Sequence, residues 1–222
     1  MVTHFVLFDL DNTLIDRQAA YERWARGFVA DRGLDAEAIR VLCDSDEDGF
    51  ATREAVFEAA RQKFNLSESV ESLITEYRQE YPKFFTPDRT VIRTLHRLRA
   101  NGFRVGVVTN GPASQREKLD RAGLRPLIDG ICVSEEYGIG KPDRRIFAES
   151  IRRCCGPRGP NGIGWMVGDS AKTDVAGGRN SGLRTVWLSR SRTWNESDFV
   201  PEFIASDVAE AVRLILSTVV DL

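Results

Sequence analysis

The sequence predicts an α/β protein: a doubly wound parallel sheet carrying one inserted all-helical segment. Two observations lead there. From about residue 88 to the end, short apolar runs alternate with amphipathic helical stretches, the pattern of successive βα units with right-handed crossovers. Residues 17–86 instead show only helical faces and no convincing strand. With 222 residues the chain has room for one large domain, or for a core domain bearing a smaller insertion.

The elements follow in order. Phe5, Val6, Leu7 and Phe8 form an unbroken apolar run, as expected of a strand buried on both faces. Four helical faces come next: Ala20, Trp24, Phe28 and Val29; Ala38, Ile39 and Leu42; Val56, Phe57, Ala60 and Phe64; Val70, Leu73, Ile74 and Tyr77. They read as a small bundle, with the proline-bearing stretch 81–88 as its return linker. Helices are expected over 88–101, 113–122, 143–155, 173–180 and 208–219, and strands over 105–108, 128–133, 163–167 and 185–188. In such sheets ligands bind outside the carboxyl ends of the strands.

What stands at those ends is polar. Asp9 and Asp11 follow the first strand, and in extended backbone both carboxylates leave on the same side. Asp-Asn is also ordinary turn chemistry, so this stretch alone fits a solvated turn equally well. The second strand delivers Thr109, Asn110 and Gly111; Lys141 precedes a helix; the fourth strand ends in Gly168, Asp169 and Ser170, with Thr173 and Asp174 beyond. Each has a plain structural reading as turn, loop lysine or helix cap. Together they gather carboxylates, hydroxyls and an amine on one sheet edge, the composition of a Mg²⁺ and phosphate site.

The segments DLDNT, VVTN, GKPD and GDSAKTD resemble, in order, the four motifs of the haloacid dehalogenase-like superfamily. The resemblance implies a Rossmann-like parallel sheet with the first strand central. It implies a catalytic core of residues 1–16 and 87–222, and a C1-type helical cap of residues 17–86. About thirty positions separate Thr109 from Lys141, enough for one βα unit but not for the family's other cap type. Carried over, Asp9 is the nucleophile that forms an aspartyl-phosphate, and Asp11 the general acid and then base. Thr109 and the backbone around Asn110 bind phosphate oxygens, while Lys141 neutralises Asp9 and the phosphoryl group. Asp9, the Asp11 carbonyl and Asp169 hold Mg²⁺, and Asp174 supports that shell through water or Lys141.

Asp11 also separates branches. Dehalogenating members carry no carboxylate two positions after the nucleophile, whereas a phosphate monoester needs an acid for its alkoxide leaving group. The resemblance therefore implies a phosphatase, and residues 109–147 are similar to the subgroup of pyrimidine 5'-nucleotidases and N-acylneuraminate-9-phosphatases. The expected substrate is a small phosphorylated metabolite, a nucleoside monophosphate first and a phosphosugar second. A phosphomutase of the same fold is the alternative enzyme. A receiver-like phospho-acceptor domain is the alternative of another class, disfavoured by the helical insertion.

Other signals exclude or mislead. Lys plus Arg total 31 against 33 Asp plus Glu, so a net charge of -2 advertises no nucleic-acid partner. No apolar run would span a bilayer and no leader pattern precedes Phe5, so no membrane partner and a cytoplasmic location are expected; oligomeric state is not legible. Cys43, Cys132, Cys154 and Cys155 lack paired spacing and read as reduced thiols. His4 and His96 neighbour no nucleophile motif. Asp44, Asp46, Asp48 and Gly49 imitate half of a calcium loop, but Ala55 stands where its bidentate glutamate belongs. That loop is expected to face the active site, with Arg53 reading substrate, and Trp24, Phe28 and Phe50 could offer a stacking face for a base. Gly138 to Lys141 is not a Walker loop, since Pro142 replaces its Ser or Thr.

Overall fold

A computed structural model describes residues 3–49 and 51–218. In chain order the elements are β1 (Phe5–Phe8), α1 (Arg17–Asp31), α2 (Glu37–Asp46), α3 (Arg53–Phe64), α4 (Val70–Glu80), α5 (Arg89–Ala100), β2 (Arg104–Thr109), α6 (Gln115–Arg121), β3 (Gly130–Val133) and α7 (Ser134–Tyr137). They continue with α8 (Arg144–Cys155), β4 (Gly164–Gly168), α9 (Ala176–Asn180), β5 (Arg184–Leu188), β6 (Phe203–Ala205) and α10 (Val208–Ser217). The chain divides into two compact units, Met1–Ile15 with Pro87–Leu222, and Asp16–Thr86.

In the first unit six parallel strands lie in the order β3-β2-β1-β4-β5-β6. The continuous FVLF run is fully buried because β1 is central, paired with β2 on one side and β4 on the other. Helix α8 crosses β3, β2 and β1 and meets α9, whereas α5 pairs with α10. This is the doubly wound, Rossmann-like arrangement expected. The strand order reverses beside β1, which opens a crevice at the carboxyl ends of β1 and β4.

Three expectations need correction here. β6 was not anticipated: three residues with Ile204 half exposed make too short a pattern to distinguish from loop. The helix expected over 173–180 is a five-residue π turn, Ala171–Val175, followed by the short α9. The closing helix is described only to Ser217, so the Val219 expected within it lies outside the described residues, as does Phe50.

The second unit is all helical, built on an aromatic core. Trp24 of α1 meets Tyr77 edge-on at 4.9 Å and Phe57 at 5.9 Å, and Tyr77 stacks on Tyr81 at 4.8 Å. Such pairs add about 0.5–1.5 kcal/mol beyond area burial. Tyr81 and Phe85 are buried in this core, so the first half of stretch 81–88 packs rather than merely linking. Trp24 and Phe28 are only 2% and 3% exposed. They are core residues and present no stacking face to a base. The helical spacing was the sign of packing, not of recognition.

Candidate active site

The site grows from the end of β1. Asp9 continues the strand, its N–H donating to the Val167 carbonyl of β4 at 2.9 Å, which holds its side chain in the crevice beside the β4 terminus. At that terminus Ser170 caps the π turn, its carbonyl accepting from both Asp174 and Val175. The widened turn brings the Asp174 carboxylate back onto its own N-terminus, where Oδ2 accepts from the Ser170 N–H at 3.0 Å. A Cβ on Gly168 would collide with that carboxylate, so the last β4 residue must be glycine for Asp174 to enter. π turns recur at functional sites for this kind of reason.

Lys141 closes the cluster. Its Nζ donates to Asp9 Oδ1 at 2.5 Å and to Asp174 Oδ1 at 2.7 Å, with its side chain only 2% exposed. The loop that delivers it is pinned by Asn110. The Asn110 side chain donates to the Lys141 carbonyl at 3.0 Å and accepts from the Lys141 N–H at 2.8 Å. Gly140 lies so close to Asn110 Oδ1 that a Cβ would stand 2.8 Å from it. Asn110 thus fixes the lysine loop through its own side chain, a task its sequence position did not reveal. The short helix α7 braces the 109–113 turn from below: Ser134 Oγ accepts from the Gly111 N–H at 2.9 Å, and Glu135 from Ala113 at 2.7 Å.

One ammonium serves two carboxylates, and Asp169 adds a third. Ligand oxygens of Asp9, Asp169 and Asp174 lie within 4.8 Å of one another. Burial pushes the Asp9 carboxyl up to about 8; Lys141 pulls it down, and the neighbouring Asp174 and Asp169 oppose that pull. Burial also disfavours the charged Lys141, but Asp174 and Asp9 outweigh it and drive its pKa upward. Asp9 and Asp174 thus share a single ammonium. The clustered donors are all hard carboxylate oxygens, and a divalent cation such as Mg²⁺ fits that donor set. Asp169 is also approached by Arg192, whose Nη2 donates to its Oδ2 at 3.2 Å, and by Arg190 at 3.6 Å.

Asp11 stands apart from the three-carboxylate cluster. Its oxygens accept from Lys118 Nζ, both at 2.8 Å, and Oδ2 accepts from Gln115 Nε2 at 2.9 Å. The same Gln115 Nε2 donates to Thr109 Oγ1 at 2.7 Å. Sequence reasoning did not single out Gln115 or Lys118. Their one signal was a glutamine and a lysine three apart, and so on one face of α6, where a purely packing face would be apolar.

Arg53, expected to read substrate, is engaged within the helical unit: its Nη2 donates to Asp46 Oδ1 at 2.6 Å and to the Ala51 carbonyl at 3.0 Å. Asp46, part of the calcium-like run, is likewise spent on Arg17 and Arg53.

Comparison with known proteins agrees with this architecture. A family model described as haloacid dehalogenase-like hydrolase matches residues 4–182. The chain is 27% identical to pyrimidine 5'-nucleotidase YjjG of Escherichia coli over 223 residues, covering 95% of this chain and 97% of the relative. It is 29% identical to the N-acylneuraminate-9-phosphatase of Rattus norvegicus over 236 residues, covering 96% and 93%. Among solved structures, that of the HAD-hydrolase YfnB of Bacillus subtilis, described as bound to magnesium, superposes with a TM-score of 0.78 at 24% identity, covering 97% of this chain and 99% of that one. At that identity the match speaks for the fold. The motif order, the central β1 and the family match over most of the length lead to one assignment: the chain belongs to the haloacid dehalogenase-like hydrolase family, among relatives that are phosphatases and nucleotidases.

Proposed function

We propose that this enzyme is a Mg²⁺-dependent phosphatase acting on a small phosphorylated metabolite through an aspartyl-phosphate. The observation that carries the reading is the Lys141 ammonium shared by Asp9 and Asp174, with Asp169 completing a cluster of three carboxylates at the strand ends. Asp9, Asp169 and the Asp11 carbonyl are the proposed Mg²⁺ ligands, with Asp174 supporting them through Lys141. Bound Mg²⁺ would supply Lewis-acid polarisation of the phosphoryl oxygens.

The chain's own residues do the rest. An Asp9 carboxylate oxygen attacks phosphorus as the bond to the leaving oxygen breaks, and Asp11 gives that oxygen its proton. Water then attacks the phosphorus of the aspartyl-phosphate while Asp11 takes a water proton. The bond to Asp9 breaks, releasing inorganic phosphate and restoring the carboxylate. Lys141 screens the approach of two anions. Thr109 is set to donate, because its hydroxyl oxygen already accepts from Gln115 and its proton has only a long 3.4 Å contact with the Asn110 carbonyl.

The helical unit, residues 17–86 in this reading, is the cap that selects the leaving group. A nucleoside monophosphate is the first candidate substrate and a phosphosugar the second, the named activities of two relatives being of these kinds. Among the described residues no helix is long and apolar enough to cross a membrane, and a cytoplasmic location is part of this reading. The test is a screen of phosphomonoesters with Mg²⁺. If nucleotides rank below phosphosugars in kcat/KM by about tenfold or more, roughly 1.4 kcal/mol in transition-state binding, the nucleotide reading is wrong. Free phosphate as product separates this enzyme from a phosphomutase, which would return phosphate on the same sugar.

A further inference from the structure

Gln115 and Lys118 occupy expensive positions. Gln115 is completely buried and Lys118 is 7% exposed, on a helix whose other buried side chain is Leu119. The Gln115 amide spends its nitrogen on Asp11 and Thr109, and its buried Oε1 has no hydrogen-bond partner among the described residues. A buried polar atom left unsatisfied costs about 1–3 kcal/mol, and an apolar side chain of similar length would avoid that cost. Lys118 sends its ammonium to both Asp11 oxygens, which fixes the plane of the carboxylate as well as its place. Both come from adjacent turns of one helix face and converge on one side chain.

We propose that Gln115 and Lys118 are positioning residues that hold the Asp11 carboxylate in register with the phosphate-binding Thr109. The inference rests on Asp11 serving as proton donor and acceptor, as read above. Neither residue touches the reacting atoms. Their effect passes through Asp11, and in the case of Gln115 also through the Thr109 hydroxyl. The requirement for a placed proton donor depends on the leaving group: an alkoxide needs the proton as the bond breaks, and a p-nitrophenolate does not. Loss of positioning therefore has a signature that general damage lacks.

The experiment measures kcat/KM, which reports the steps up to phosphoenzyme formation, for an alkyl phosphate and for p-nitrophenyl phosphate. Wild type, Asp11→Asn, Lys118→Met, Lys118→Arg and Gln115→Met are compared with Mg²⁺ present, each melted to confirm folding. Lys118→Met is expected to lose about 10²-fold or more on the alkyl ester but less than about fivefold on the aryl ester, in the same direction as Asp11→Asn. Lys118→Arg should recover part of the alkyl activity. Gln115→Met should show the same selectivity, with a rise in KM for both esters through Thr109. Equal losses on both esters by folded Lys118→Met overturn the proposal while leaving the role of Asp11 intact. Equal losses on both esters by Asp11→Asn overturn the reading of Asp11 itself, and the positioning role with it. If Lys118→Met does not fold, Lys118→Gln, which keeps a donor without the charge, takes the same comparison.

Discussion

The two compact units each bury a knot of charge, and the knots are opposites. In the helical unit one carboxylate, Asp46, accepts from two guanidiniums, with Arg17 bidentate at 2.6 and 2.8 Å and Arg53 at 2.6 Å. In the sheet unit one ammonium, Lys141, is shared by two carboxylates with a third nearby. Burial raises the Asp46 pKa, but the hydrogen bonds and charges of Arg17 and Arg53 outweigh it, and the net shift is downward. At Asp9 burial wins and the shift is upward. The first knot spends its single carboxylate on holding helices together; the second gathers three carboxylates whose oxygens lie within 4.8 Å of one another. Both join Asp to basic residues, and the number of carboxylates gathered tells them apart.

The largest effect should come from breaking the three-carboxylate knot at its proposed nucleophile. Asp9→Asn keeps the volume and removes the attacking carboxylate, so kcat/KM should fall by about 10⁴-fold or more, near 5.5 kcal/mol in the barrier. The melting temperature should hold, because the amide matches the carboxyl in size and Lys141 keeps Asp174 as its partner. Steady-state turnover by this variant, with contaminating phosphatase excluded, would end the covalent mechanism. The mirror-image change, Asp46→Asn, should do the reverse. It strands two guanidiniums that are largely buried, at a cost of about 3–5 kcal/mol, and should lower the melting transition strongly. A melting curve unmoved by Asp46→Asn would mean that the cluster contributes little to the helical unit.

A smaller effect should follow from the metal. Activity should disappear in EDTA after dialysis and return with Mg²⁺. Mg²⁺ at about 100 times its Kd should stabilise the native chain by about 2.7 kcal/mol. Asp169→Ala should weaken that stabilisation, whereas Asp46→Asn should leave the Mg²⁺ increment unchanged. Full activity without metal would contradict the reading of the carboxylate cluster.

Much of this was legible in the residues, and the remainder was not for identifiable reasons. β1 announced itself because a strand buried on both faces has no polar alternation to obscure it. Asp9, Thr109, Lys141 and Asp174 could be brought to one edge because parallel strands deliver their carboxyl ends together. The direct bond from Asp174 to Lys141 depends on a π turn, and no local pattern in Ala171–Val175 separates that turn from ordinary helix. Gln115 and Lys118 were missed because a hydrophilic helix start looks solvated until its bonds to Asp11 and Thr109 are known. The ion pair of Arg53 was hidden for another reason. Its partner Asp46 lies seven positions earlier across a loop with left-handed Glu47 and Asp48, a closure that spacing does not foretell.

The smallest effect, and the sharpest contrast, is in pH. Asp46 has a lowered folded pKa, so its contribution to stability is present above the ordinary carboxylate value of 3.8 and is lost as pH falls below it. Asp9 runs the other way in metal-free protein. Its folded pKa near 8 exceeds the ordinary 3.8, so its contribution is complete below 3.8 and is lost as pH rises through about 8. Metal-free protein should therefore lose stability from the sheet unit between pH 3.8 and about pH 8. The helical unit should weaken only in acid. Asp9→Asn should flatten the first dependence and leave the second, and Asp46→Asn should do the converse. Mg²⁺ should also flatten the first, because it competes with the proton for the same oxygens and its stabilisation should grow over that pH range. Melting curves of wild type and both variants, taken with EDTA and with Mg²⁺ from pH 3 to pH 9, check all of this. A pH profile of the metal-free protein identical to that of Asp9→Asn would show that the Asp9 carboxyl is not held in its protonated form by the fold.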